Sequence, residues 1–300
     1  MNDTFASLKR ERTNSFDKLT KEVEKLSSSS TAKEVDERFW KPEVDKAGNG
    51  YAVIRFLPSP KGEDVPWVRL WSHGFQGPGG WYIENSLTTL GQQDPVSEHN
   101  SKLWNTGDDK DKDIARKQKR RLTYIANIYV EKDPANPASE GKVFLYKFGK
   151  KIFDKINEQM NPTFEDEEAI NPFDLWQGAY FKMKIRNVEG YRNYDKSEFD
   201  SPSPLSDNDD NLETVWEAEN SLSAFVAADQ FKSYEQLKSR LDRVLGLSGG
   251  AAAADRVANM PTEAPSVGKT VKASWDSESS ASESDDNLAF FEKLASDDND

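Results

Sequence analysis

The chain has no cysteine among its 300 residues. That absence excludes disulfides and any chemistry that needs a thiolate, and it fits a reducing compartment. Long apolar runs are missing too, so nothing in the sequence is expected to span a bilayer, and the polar opening "MNDTFASLKRER" lacks the apolar stretch of a secretory signal. A soluble, cytoplasmic protein is the expectation. Basic residues are in the minority, with 40 Lys and Arg against 53 Asp and Glu and a formal net charge of -13. Net acidity argues against a nucleic-acid partner only when the two signs are evenly mixed, so their placement decides.

They are not evenly mixed. The stretch "KQKRRLTYIANIYV" (117–130) opens on Lys117, Lys119, Arg120 and Arg121 without an acid, then turns into an apolar-alternating run. Successive strand side chains point to opposite faces, which puts Leu122, Tyr124, Ala126, Ile128 and Val130 on one side of a strand predicted over 122–130. Further strands are predicted over 51–57, 142–149 and 179–188. In the last, Phe181, Met183 and Ile185 form a core face and Lys182, Lys184 and Arg186 a cationic one. A helix follows, with Phe231, Tyr234, Leu237, Leu241 and Val244 on one side and Gly246 as its stop.

Cations and rings recur together: Tyr146, Lys147, Lys150, Lys151 and Phe153 in "FLYKFGKKIFDK", then Tyr191, Arg192 and Tyr194 in "YRNY". Positive charge follows a phosphate backbone and flat rings stack on unpaired bases, a pairing that selects single strands over duplex. Taken singly, each ring is as well explained by core packing and the run 116–121 by a solvated face. Recurrence on separate strands carries the single-strand reading.

Outside this body the composition shifts. Residues 1–30 carry Phe5, Leu8, Phe16, Leu19, Val23 and Leu26 at helical spacing before "SSSS", which reads as a small amphipathic arm. Its "KRERT" (9–13) is similar to "KRRLT" (119–123). Residues 248–300 are rich in Gly, Ala, Ser and acids and are expected to form a disordered acidic tail. Within it, Leu288, Phe290, Phe291 and Leu294 lie between acidic flanks, the pattern of a docking peptide. Two other functional classes stay open on residues alone. One is a metal-dependent nuclease built on the carboxylates of 198–213, although their Pro and Ser neighbours suit a loop better than a rigid two-metal site. The other is an acidic DNA mimic or chaperone-like interaction protein, against which the basic strands argue. "SVGKT" (266–270) lacks the first glycine and the preceding strand of a phosphate loop.

The stretches "AGNGYAVIRFLPS", "ANIYVEKDPANPASEGKVFLYKFGKKIFDKIN" and "FKSYEQL" closely resemble the helix-destabilising, single-stranded DNA-binding protein family of T4-type phages. That resemblance implies a mainly β fold with peripheral helices: an OB-fold core over 31–247 with an inserted subdomain at about 66–113. It also implies a non-enzymatic, cooperative, sequence-nonspecific protein that coats and protects single strands in phage replication, recombination and repair, in the cytoplasm of the infected bacterial host. Carried over by position, Arg55, Arg120, Tyr124, Tyr146, Tyr191 and Tyr194 fall among cleft residues, beside Lys119, Arg121, Lys150 and Lys151 from the charge pattern. Lys9, Arg10, Arg12 and Thr13 stand at the family's cooperativity motif, interrupted here by Glu11, and the tail stands where relatives recruit replication and recombination partners. Leu122 interrupts the motif's second copy, and Ile125 replaces a family tryptophan.

The resemblance also implies zinc held by one histidine and three cysteines. Here those positions read His73, Ser86, Asp94 and Ser97. Hydroxyls are poor ligands for Zn²⁺, so no cofactor is expected, and a substitute trio of His73, Asp94 and His99 is set aside. Trp71, Phe75, Trp81 and Tyr82 are expected to close the subdomain by apolar packing instead.

Overall fold

The structure is a computed structural model that describes residues 36–164 and 167–247. The architecture below belongs to the compact unit that starts at Phe39. Among the described residues the fold is mainly β, with helices packed around a sheet.

The sheet is organised by β5 (Arg121–Lys132), the longest strand. One of its edges pairs antiparallel with β6 (Val143–Phe148). Its other edge is shared: the first half pairs with β3 (Trp67–Gly77) and the second with β2 (Gly50–Phe56). β2 continues to β7 (Phe181–Val188), β7 to the short β8 (Tyr191–Asn193) and β9 (Glu198–Phe199), and β6 pairs in parallel with β1 (Phe39–Trp40). A bulge between Val53 and Ile54 bends β2 where it leaves β5 for β7.

Alternation fills the main core as the sequence predicts. Tyr124, Ala126, Ile128 and Val130 meet Ala52, Ile54 and Phe56 of β2, Tyr146 and Phe148 of β6, and Phe181, Met183 and Ile185 of β7. A helix, α3 (Lys150–Met160), lays Ile152 and Ile156 on the same core. The other face of β5 is covered as well: Ile125 packs with Leu145 and Leu222, next to a third cluster of Leu57, Leu175 and Leu212. The last of these comes from α4 (Asp209–Glu217). Burial of both faces explains why "YIANIYV" is apolar at every position but Asn127 rather than at alternate positions only.

Between β3 and β5 the chain makes β4 (Gly80–Asn85), a 3₁₀ turn at Leu87–Leu90, α1 (Pro95–Asn105) and α2 (Asp109–Gln118). Phe75, Tyr82, Leu87 and Val96 pack there against Leu237, Leu241 and Val244 of α5 (Tyr234–Leu245). Each of these α5 side chains contributes about 1.5–3 kcal/mol by leaving water. The helix is set by its ends: Ser233 and Gln236 form a capping box, and Gly246 stops it at φ 71°. At the tip of the β3–β4 hairpin, a Cβ on Gly77 or Gly79 would stand 2.4 Å from the Val244 carbonyl oxygen or 2.1 Å from that of Arg243. The "GPGG" turn is therefore a close contact with α5 as well as a turn. Of the four rings expected to close this subdomain, Phe75 and Tyr82 do so, stacked at 5.1 Å. Trp81 does not: it is 49% exposed, with Ile83, because hairpin alternation turns both away from Tyr82.

No helix among the described residues is long and apolar enough to cross a membrane.

Candidate nucleic-acid interface

The register of β5 and β6 pairs Tyr124 with Phe148, so the end of β6 lies beside the start of β5. Lys119, Arg120 and Arg121 precede or open β5, and Lys150 and Lys151 open α3 just after β6. Two basic segments far apart in sequence thus share one end of the sheet. The N-terminus of α3 adds to them, since Gly149 supplies no side-chain cap and the first turn contains no acid. Lys150 pairs along the helix with Asp154 at 3.0 Å, and Lys151 is exposed.

Arg120 is held differently. Its guanidinium lies over the Trp71 indole at 4.0 Å. Burial pushes its pKa down to about 10, with the charge of Asp94 acting in the opposite direction, so it stays cationic at neutral pH. Stacking uses the face of a guanidinium, whereas its in-plane N–H groups recognise phosphate. Trp71 thus carries a cation, where the sequence predicts a part in the subdomain's apolar closure; nothing in the spacing of residues 71 and 120 announces the stack.

The named rings divide. Tyr124, Tyr146 and Tyr194 are buried members of the main core. Tyr124 stacks on Phe153 at 4.0 Å, and Tyr146 lies between Trp40 and Phe148 with its hydroxyl 3.8 Å from Met183 Sδ. Tyr191 is 49% exposed and lies on β8. By strand register, β8 belongs at the end of the sheet opposite the start of β5, since Gly50 pairs with Ile185 while Phe56 pairs with Ile128. The link between the two places is α3, which starts at Lys150 and whose Lys155 Nζ donates to the Asp195 carbonyl at 3.3 Å.

Arg55 falls among the cleft residues by its position in the sequence. In the structure its side chain is fully buried, donating from Nη2 to the carbonyls of Asp174 (2.7 Å) and Ser203 (2.9 Å), beside the Tyr180 ring. As placed, it ties β2 to two loops and does not face solvent. Gly178 makes room for it, because a Cβ there would stand 2.8 Å from Nη2.

The cationic face of β7 exists as predicted, and its charges are answered locally. Lys182 pairs with Asp200 at 2.6 Å, Lys184 with Glu198 at 2.6 Å, and Arg186 with Asp195. Two of the carboxylates considered for metal chemistry, Glu198 and Asp200, are thereby engaged with lysines, while Asp209 and Asp210 sit in the first turn of α4. An open cleft of about 300 Å³ beside Trp67, Phe173 and Trp176 has Asp174 but no lysine or arginine in its wall, which does not suit a phosphate chain.

The four positions at which the resemblance implies zinc ligands, His73, Ser86, Asp94 and Ser97, do come together. Asp94 is buried and accepts from Ser86 Oγ (2.9 Å), Leu87 N (3.1 Å), Val96 N (3.0 Å) and Ser97 N (3.1 Å). His73 Nε2 lies 3.2 Å from Asp94 Oδ1, off the line of a good hydrogen bond. Burial drives the Asp94 carboxyl up, but His73 and these donors outweigh it and bring its pKa to about 2. The set offers one imidazole, one carboxylate whose oxygens are already engaged, and two hydroxyls. It does not fit Zn²⁺, which takes three or four thiolate, imidazole or carboxylate ligands, because two of the four groups are hydroxyls and the carboxylate is already engaged. His99 is half-buried, and burial together with Lys102 and Lys238 lowers its pKa.

Lys9, Arg10, Arg12 and Thr13 of the arm, and Leu288, Phe290, Phe291 and Leu294 of the tail, lie outside the described residues.

Residues 48–245 match the family model described as gp32 DNA binding protein like. The single-stranded DNA-binding protein of Enterobacteria phage T2 is 44% identical over 240 residues, covering 75% of this chain and 78% of the relative. That of Enterobacteria phage T4 is 42% identical over 257 residues, covering 80% and 83%. A single-stranded DNA-binding protein of Enterobacteria phage RB70 matches a shorter stretch, 46% identical over 93 residues, 30% of this chain and 76% of the relative.

Proposed function

The chain belongs to the gp32 DNA binding protein like family, and from that premise we propose that it binds single-stranded DNA without sequence preference and coats it during phage replication, recombination and repair. The observation that carries this reading is local: Lys119, Arg120, Arg121, Lys150 and Lys151 gather at one end of the β5–β6 pair in a chain of net charge -13. Cations neutralise phosphates and release counterions, so affinity falls with salt, with a log-log slope of about -0.7 per phosphate contacted.

The curved sheet around β5 is read as an OB-fold, with residues 66–113 as its insertion. Binding to unpaired strands melts duplex ends by mass action, with no nucleotide consumed and no catalysis. The arm's Lys9, Arg10, Arg12 and Thr13 serve cooperative self-association along the strand. The acidic tail competes with DNA for the cationic end and offers Leu288, Phe290, Phe291 and Leu294 to replication and recombination partners. Deleting 273–300 therefore tightens DNA binding, most visibly at low salt where charges are least screened. The work is done in the cytoplasm of the infected host. Zinc has no part in the proposal, and the hydrogen bonds at Asp94 support leaving it out. Stoichiometric zinc in the purified protein would contradict that.

The deciding experiment titrates poly(dT) into the full chain, followed by tryptophan fluorescence at two salt concentrations with duplex DNA as control. Saturable, salt-weakened binding to poly(dT) and weak binding to duplex is expected. Equal binding to both would overturn the reading.

A further inference from the structure

Two routes lead from buried Asp94 toward Arg120, one a close approach of His73 and the other a chain of hydrogen bonds. The first passes through His73, whose Nε2 lies 3.2 Å from Asp94 Oδ1 while its Nδ1 stands 3.1 Å from the carbonyl oxygen of Gln118, two residues before Arg120. The second passes through the 3₁₀ turn. Asp94 Oδ2 accepts from Ser86 Oγ and Leu87 N; Ser86 N donates to the Trp71 carbonyl at 2.8 Å, and Trp71 N donates to Thr89 Oγ1 at 2.9 Å. The Trp71 ring is the surface on which the Arg120 guanidinium rests.

We infer that Trp71 and Asp94 are positioning residues for Arg120: Asp94 braces the main chain that carries the indole and the main chain before Arg120, and the stacked guanidinium then meets a DNA phosphate without first having to be ordered. This rests on the single-stranded DNA reading and adds to it a division of labour within the inserted subdomain. An arginine side chain has many rotamers to lose on binding, and a flat aromatic partner removes that loss in advance. The rival account is that Asp94 and Trp71 only keep the subdomain folded. The geometry favours positioning because the routes from one carboxylate end on the backbone of Trp71, whose ring carries the guanidinium, and on Gln118, two residues before Arg120.

The test is a double-mutant cycle in the full chain, read by anisotropy of a fluorescently labelled oligo(dT) across a salt series. Trp71→Leu weakens binding by roughly five- to tenfold and flattens the salt slope in the wild-type background, as loss of a cation–π platform would. In an Arg120→Ala background the same substitution changes affinity less than about twofold and leaves the slope unmoved. Asp94→Asn follows the same pattern with thermal unfolding checked alongside; loss of the fold in this variant overturns the role given to Asp94 in favour of the rival account, and Trp71→Leu decides the role of the indole. An equal loss in both backgrounds, or no loss in either, overturns the inference while the DNA reading stands. Failure of the wild type to bind oligo(dT) overturns both.

Discussion

The described residues include two basic stretches on strands of one sheet that β2 separates, and the structure treats them differently. On β7, Lys182, Lys184 and Arg186 each close onto an acid supplied by the segment that folds back beside it, Asp200, Glu198 and Asp195. Before β5, Arg120 rests on a tryptophan face, and its neighbours share their end of the sheet with the uncapped start of a helix. A count of lysines and arginines would rank the two stretches alike. What separates them is the kind of partner seen against these cations: carboxylates for Lys182, Lys184 and Arg186, an indole face for Arg120. The rings divide in parallel: Tyr146, beside β5, is core, and Tyr191, beside β7, faces solvent.

That contrast can be broken most forcefully at the rings. Tyr146→Ala should lower stability by about 3–5 kcal/mol, the cost of deleting a buried aromatic, whereas Tyr191→Ala should cost less than about 0.5 kcal/mol. Chemical denaturation of the two variants checks this, and comparable losses would mean that Tyr146 is not the core ring described. Next in size is a test on the covered face of β5. Asn127, fully buried there, bonds Asn220 and approaches Glu219 at 3.4 Å. Burial and the charge of Glu63 push the Glu219 pKa up to about 8, against an opposing hydrogen bond from Asn127. Between its unfolded value and about 8, the folded chain holds a proton that the unfolded chain has released, so stability falls as pH rises through that window. Glu219→Gln should remove this slope and be more stable than wild type above pH 8 by something on the order of 2 kcal/mol. Denaturation midpoints from pH 5 to 9 measure it.

Two smaller effects compare the basic stretches directly. Arg120→Ala should weaken poly(dT) binding about tenfold and flatten the salt slope by about 0.7, the signature of one lost phosphate contact. Lys184→Ala should change affinity less than about twofold and stability by less than about 1 kcal/mol, as for an exposed ion pair. A salt titration of both decides, and a larger loss from Lys184→Ala would reverse the assignment of the two strands.

Much of the fold was legible in the sequence because alternation is a local signal. The strands over 51–57, 122–130, 142–149 and 179–188 fall within a residue or two of β2, β5, β6 and β7, and the α5 face from Tyr234 onward and its glycine stop lie where spacing put them, whereas Phe231 stands in extended backbone before the Ser233 cap. The basic end was legible only as a list of residues; the register that joins Lys119 to Lys150 is a property of the pairing. The rings were the hardest. A tyrosine on an alternating strand satisfies the pattern equally well facing a core or a cleft, and three of the four turned inward. Arg55 shows the same limit, since no local signal separates a phosphate-facing arginine from one that holds two distant carbonyls. The Trp71–Arg120 stack and the Asp94 connections link segments that are neighbours only after folding, and no spacing rule reaches that far.

Because β5 lends its edges to three other strands, it has little freedom to change. Substitutions along 122–130 will report on folding whatever else they touch. Separation-of-function alleles, which lose the ligand and keep the protein, should therefore be sought at Lys119, where α2 ends, and in the opening turn of α3. A genetic screen should recover them at those two places and seldom along the strand between.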